Sequence, residues 1–366
     1  MAAIITAGKR DDRQSPEVYQ IEPLTDSRWG EFVNRHPRSS IFHTVPWLEA
    51  LRRTYAYEPI VYTTTPPGIA LRDGLVFCRV ASWLTGRRLV SLPFSDHCEP
   101  LIDDAADPNV LLSAVERMLG QEKLRYIEIR PKRVLELETS LSASNCTYCL
   151  HELDLSHDLD SIFRHCHKDS TQRKIRRAER EGLTYEYGRS GVLLKAFYHL
   201  LVLTRRRHQL PPQPMQWFEN LIDCCGEALQ IRVAFKDRQP IAAILTLFHG
   251  DTVTYKYGCS DAKFNNLGGT HLLFWRTIQE AKSNGFNVFD LGRSEYENTG
   301  LITFKDRWGT ARSELRYLRF ATSAQSSEHY RTGGGGWKVR MAKRVMSGLP
   351  APLLSTVGNL LYRHIG

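Results

Sequence analysis

Two short stretches hold the residues best suited to chemistry. Asp290-Leu291-Gly292-Arg293 closes the run Phe286-Asn287-Val288-Phe289, and Phe304-Lys305-Asp306-Arg307-Trp308-Gly309 follows a short distance on. An acid, a glycine and a cation thus stand where a buried strand ends, the edge at which open α/β sheets take ligands. Lys305 falls between Phe304 and Trp308, so large apolar surfaces frame its charge. Glu295 and Tyr296 occupy the intervening loop, where they can serve as base and acid. Asp290 is either a satisfied buried carboxylate or a group that orients Arg293 or Lys305.

Two further segments suit an anion. Phe264-Asn265-Asn266-Leu267-Gly268-Gly269-Thr270 lies between a strand at Tyr255–Cys259 and a helix at Thr270–Asn284. It reads either as a glycine helix entry capped by Thr270 or as a phosphate cradle, in which helix N–H groups point at the anion. Arg173, Arg176, Arg177 and Arg180 follow i, i+3, i+4, i+7 spacing and form one cationic stripe, suited to phosphate. Arg205-Arg206-Arg207-His208 closes a long helix, where cations complement the dipole; Arg207 or His208 is also a candidate to line a cleft. Tyr255 and Tyr257 alternate with Lys256, so both rings are expected on one sheet face, as core or as acceptor pocket.

Composition narrows the field. The chain has 366 residues, 42% of them hydrophobic and 24% charged, which suits two globular domains and excludes wholesale disorder. The formal charge of +9 favours an anionic partner. Eight cysteines form no framework: Cys146 and Cys149 are a lone C-x-x-C inside a strand pattern, and His165-Cys166-His167 is too compact for a tetrahedral site and reads as polar surface. No metal site is expected. Met1–Gly8 does not read as a signal peptide and no run spans a bilayer, so a cytoplasmic location is expected. No DNA-binding motif appears. The stretch from Arg331 to Gly366 holds six cations and no acid. Its Trp337–Met346 segment, after the Gly333–Gly336 hinge, reads as a basic amphipathic helix that either contacts the inner face of a membrane through residues 337–366 or packs on the protein.

The elements positioning these residues alternate. The first half reads as short strands (Gly74–Ser82, Arg87–Leu92, Tyr126–Arg130) and helices, one with Thr44 and Pro46 at its start. The second half reads as helices over Leu159–Gly182, interrupted near Ser170 as a cap, and over Val192–His208. A meander follows at Gln230–Phe235, Ile241–Phe248 and Thr252–Cys259, then a helix, a strand at Phe286–Leu291 and a last strand at Glu314–Phe320.

The F-D-x-G strand at Phe289–Gly292 and the F-K-x-x-W-G segment at Phe304–Gly309, together, resemble the FemAB-like aminoacyl and acyl transferases, a GNAT-superfamily branch that includes a BioF2-like acetyltransferase group. The resemblance spans about residues 18–320. It implies an α/β (α+β) fold of tandem GNAT-like domains, with central mixed sheets flanked by helices. The expected division is a leader over 1–16, a degenerate GNAT-like domain over 17–152, a transferase domain over 153–322 and the basic tail over 323–366.

The resemblance also assigns roles. Lys305 would stabilise negative charge on the donor or transition state, and Asp290, Arg293, Glu295 and Tyr296 would complete the reactive end. Arg173, Arg176, Arg177, Arg180, Tyr255 and Tyr257 would contact a phosphate-bearing acceptor. Asn265, Gly268, Gly269 and Thr270 would cradle the donor, although Asn265 replaces the usual Gln or Arg and Thr270 the usual Gly or Ala. No cofactor would be tightly held; acyl-CoA or aminoacyl-tRNA would be the donor, making tRNA a partner. With no nucleophile elbow and no activated cysteine context, direct transfer in a ternary complex is expected rather than an acyl-enzyme; the resemblance implies that the acyl group goes to an amine of a cell-envelope or exopolysaccharide precursor. The alternative is a non-catalytic accessory protein that binds anionic precursor or membrane.

Overall fold

In the computed structural model, the described residues are 17–102, 108–135, 142–321, 357–358 and 360–364. The leader over 1–16 and most of the basic tail, including the Gly333–Gly336 and Trp337–Met346 readings, lie outside them. The chain divides into two units, one formed by residues 1–147, 315–334 and 361–366 and the other by residues 148–314 and 335–360.

The first unit contains strands β1 (Tyr19–Ile21), β2 (Glu58–Thr63), β3 (Asp73–Ser82), β4 (Gly86–Val90), β5 (Leu101–Ile102) and β6 (Tyr126–Ile129). Its helices are α1 (Ser27–Arg35), α2 (Val45–Tyr55) and α3 (Pro108–Gln121). The strands β1 to β4 pair antiparallel in turn, and β4 then runs parallel to β6. Helix α2 has Pro46 in its first turn as expected, but the Thr44 hydroxyl donates to the Ile41 carbonyl instead of capping. Leu75, Phe77 and Leu89 from the sheet pack with Leu111, Val115 and Leu119 from α3 to make the core.

The strand β7 (Ser142–Asp154) enters the second unit at Tyr148, and α4 (Leu159–His165), α5 (Arg173–Arg180), β8 (Thr184–Gly188), α6 (Gly191–Arg207) and α7 (Met215–Cys225) follow. The unit continues through β9 (Leu229–Lys236), β10 (Gln239–His249), β11 (Thr252–Ser260), α8 (Gly269–Ser283), β12 (Val288–Ser294) and α9 (Thr299–Asp306), and β13 (Ala311–Ala321) then leads back to the first unit. β13 pairs with β6, with Leu318 opposite Ile129. This is a mixed α/β architecture. β8 to β11 form an antiparallel meander, β12 joins β11 in parallel, and β7 joins β12 antiparallel. Ile241, Ala242, Val253 and Phe289 pack against Leu273, Phe274 and Ile278 of α8.

Local details depart from the sequence reading in four places. Between α4 and α5 a π turn covers Lys168–Gln172, and the His167 ring, not Ser170, accepts the first N–H, that of Ser170. Cys166 is buried in the core rather than on a polar surface, and burial pushes its thiol up to about 12. β12 extends through Gly292 and Arg293 to Ser294, so Asp290 lies inside the strand. Finally, Tyr255 and Tyr257 do not share a face. The β10–β11 register shifts between Leu245 and Thr246, which face Tyr257 and Tyr255 respectively, so Lys256 is an extra residue in a bulge. The bulge turns the two rings to opposite sides of the sheet: Tyr255 packs on Phe274 of α8, and Tyr257 on Phe218 of α7. No helix among the described residues is long and apolar enough to cross a membrane.

Candidate functional site

The site is built where two parallel strands part. β11 and β12 pair over Thr252–Thr254 and Val288–Asp290, and no pairing continues beyond although both strands do. At the Asp290 end of this register, the β12–β7 ladder is also irregular between Asp290 and Arg293. Gly292 has φ +71°, a conformation that favours glycine. The Asp290 carboxylate, 1% exposed, accepts from the Gly292 N–H at 2.7 Å and pins this kink.

α9 is anchored to the same kink. Lys305 is 2% exposed, and its ammonium donates to the carbonyls of Gly292 at 2.7 Å and Arg293 at 3.0 Å. The charge is therefore turned onto main-chain oxygens. The Arg293 guanidinium stacks over the Tyr148 ring at 4.2 Å. Glu295 and Tyr296 are exposed in the loop beyond, and burial, then Cys149 and Glu314, raise the Tyr296 phenol.

A pocket of about 190 Å³ opens at the start of α8, lined by Lys174, Ser260, Asn265, Gly269, Thr270, His271 and Phe304 among others. Asn265, Gly269 and Thr270 thus meet as the sequence suggested, but Thr270 is not the cap. Gly268 is the cap residue, with φ +85° and no side-chain hydrogen bond, so the first N–H groups of α8 have no side-chain acceptor from the cap. A Cβ on Gly268 would lie 2.4 Å from the Lys174 carbonyl oxygen, so the close approach of α5 requires glycine there. Ser260 is held by the Thr204 hydroxyl, and the Arg207 guanidinium reaches its carbonyl.

Two pocket residues were missed in the sequence. Lys174 and the His271 ring nitrogens have no hydrogen-bond or ion-pair partner among the described residues. Burial, then the Arg307 and Arg173 charges, lower the Lys174 pKa. Burial, then Lys174 and Arg307, push His271 down to about 3, so its imidazole is neutral. That ring lies near-parallel to Trp308, with centroids 5.8 Å apart, and meets Phe304 edge-on at 5.5 Å. Phe304 thereby links the pocket to the helix that carries Lys305. His271 could have been suspected as a histidine in the first turn after a Gly-Gly entry; Lys174 was hidden among arginines.

The arginine stripe stays outside the pocket. Arg173, Arg176 and Arg180 are exposed on α5; Arg176 stacks over Phe163 at 5.4 Å and Arg177 pairs with Glu181 at 3.5 Å. Tyr257 lies across the sheet, its hydroxyl accepting from Gln213 Nε2 and Trp217 Nε1, both at 2.9 Å. Tyr255 is turned into the core; a Cβ on Gly258 would sit 1.8 Å from its hydroxyl.

A Cys-His-Asp neighbourhood also exists: Cys149 Sγ lies 3.8 Å from the His151 ring nitrogens, and His151 Nε2 lies 3.3 Å from Asp306. Burial raises the Cys149 thiol and lowers the His151 imidazole. A protonated thiol beside a neutral ring is not an activated nucleophile. No group of three or more His, Cys, Asp or Glu side chains among the described residues is placed to hold a metal ion.

Comparison with known proteins agrees with this architecture. Residues 167–330 match the family described as acetyltransferase (GNAT) domain. A UDP-N-acetylmuramoylpentapeptide-lysine N(6)-alanyltransferase from Weissella viridescens is 26% identical over 139 residues, 37% of this chain and 41% of that protein's length. The crystal structure of FemX superposes with a TM-score of 0.61 at 16% identity, covering 81% of this chain and 96% of FemX. A tandem GNAT protein from the clavulanic acid biosynthesis pathway gives 0.50 at 8% identity, covering 84% and 99%. Residues 167–330 thus resemble a GNAT acetyltransferase domain, the chain is similar over part of its length to an alanyltransferase of this kind, and its fold is that of FemX.

Proposed function

We propose that the protein transfers an acyl or aminoacyl group from a phosphate-bearing donor to an amine of a cell-envelope precursor, by direct attack in a ternary complex. One observation carries the reading: Lys174 and the neutral His271 stand unpartnered at a pocket where the N-terminus of α8 has no side-chain cap. A helix N-terminus with a nearby cation and no acid suits an anion. Both an acyl-CoA and an aminoacyl-tRNA would bring phosphates to it, cradled by Asn265, Gly268, Gly269 and Thr270.

The relative's name gives its acceptor as a UDP-linked muropeptide lysine. A precursor of that class suits the exposed Arg173, Arg176 and Arg180 and the half-buried Arg177, which would contact its phosphates. The attacking amine must lose a proton as the C–N bond forms, and the leaving thiolate or ribose oxygen must gain one. Glu295 and Tyr296 are assigned these two tasks. Lys305 and Asp290 are assigned a positioning role, holding the Gly292–Arg293 backbone beside the reacting groups.

The test is a transfer assay read by mass spectrometry. Acetyl-CoA, longer acyl-CoAs or alanyl-tRNA is combined with a UDP-N-acetylmuramoyl-pentapeptide. The expected result is a modified acceptor with one donor class, and a loss of product in Lys174→Ala and Lys305→Ala. Precursor binding without transfer from any of these donors would favour the accessory role instead.

A further inference from the structure

The β3–β4 hairpin presents an apolar tip. Trp83 is 87% exposed and Leu84 55%, whereas Trp29 and Trp47 in the same unit are fully buried. The tip is not loosely held. The Ser82 hydroxyl accepts from the Leu84 and Thr85 N–H groups at 3.1 and 3.0 Å and bonds the His364 Nδ1 at 2.9 Å. Thr85 and Arg88 both donate to the His364 carbonyl, at 2.9 and 2.8 Å, and the His364 ring lies 5.8 Å from that of Trp83.

Cations of one sign surround the tip. Arg87 is exposed on β4, Arg125 donates to the Thr85 carbonyl at 3.3 Å, and Arg363 is exposed beside His364. None of the three has an acidic partner among the described residues. Residues 82–88 contain no acid.

We propose that this tip is a membrane-contact site, in which Trp83 and Leu84 enter the headgroup region of an anionic bilayer while Arg87, Arg125 and Arg363 meet its phosphates. Indole and leucine side chains beside arginines match an interface that is apolar below and anionic above. Each cation near an anionic surface adds about fivefold to partitioning. The charge pattern favours lipid over a protein partner, because three unpaired cations of like sign find many equivalent phosphates on a bilayer.

The test is partitioning of the full chain onto vesicles of phosphatidylcholine alone or mixed with phosphatidylglycerol, at low and high salt. Salt-sensitive binding to the anionic vesicles only is expected, with a blue shift of tryptophan fluorescence and quenching by brominated lipid. The Trp83→Ala/Leu84→Ser variant should bind about tenfold less with an unchanged melting temperature, and Trp83→Phe should retain most binding. Arg87→Gln/Arg363→Gln should weaken binding without touching the tip. The proposal fails if wild type binds neither vesicle, or if the tip variant binds like wild type, which would assign the contact to the rest of the basic C-terminal stretch. It also fails if the tip variant loses only self-association, which would make this a surface between copies.

Discussion

His271 and Gly268 show how single residues build the pocket. The unfolded chain protonates His271 near its ordinary pKa of 6.5, whereas the folded imidazole resists to about 3. The neutral ring's contribution to stability is therefore whole above pH 6.5 and is lost as pH falls from there toward 3. We expect the urea midpoint to drop between pH 7.5 and 5, and the drop to shrink in His271→Asn; an equal drop in both would contradict a buried neutral ring. Gly268→Ala places a methyl group against the Lys174 carbonyl at φ +85°. It should cost about 2 kcal/mol or more in a denaturant titration, whereas Gly285→Ala, at φ +80° with nothing within 4 Å, should cost only its backbone strain. The Gly-Gly entry was legible in the sequence because helix entries of this kind need glycine. His271 was not, because spacing alone does not separate a pocket wall from a core position.

At the scale of elements, strand irregularities decide which side chains meet. Alternation put Tyr255 and Tyr257 together; the Lys256 bulge separates them, and one extra residue cannot be read from a regular pattern. In Tyr257→Phe the Gln213 amide and the Trp217 indole lose a buried acceptor, which should cost about 1–3 kcal/mol. A melting temperature equal to wild type would show that those donors find water or another partner. The strand expected over Phe286–Leu291 was legible from its apolar run, but its extension to Ser294 was not, because Gly292 permits a kink that a propensity argument treats as a stop. Lys305 pins that kink. Lys305→Met keeps the bulk and removes the ammonium, leaving the Gly292 and Arg293 carbonyls short of a donor. We expect a loss of about 1–3 kcal/mol and of transfer activity, with Lys305→Arg restoring less than wild type because its fork is wider.

Across the whole molecule, the order of helices and strands in the second unit was legible because each helix keeps its period and each turn its chemistry. The last strand, expected over Glu314–Phe320, pairs with β6 through Leu318–Phe320, a long-range choice that no local pattern encodes. The net charge of +9 belongs to this scale as well. If the donor engages Lys174 and the first turn of α8 through its phosphates, its affinity should fall steeply as salt rises, and a salt-independent affinity would remove charge from the account. The most direct test of the central claim is the melting temperature of wild type and Lys174→Ala with acetyl-CoA, alanyl-tRNA or the UDP-linked muropeptide. A donor that binds the folded state must raise it. The account predicts that acetyl-CoA or alanyl-tRNA stabilises wild type and that most of that rise is lost in Lys174→Ala. An equal rise in both proteins, or no rise with either donor, would contradict it.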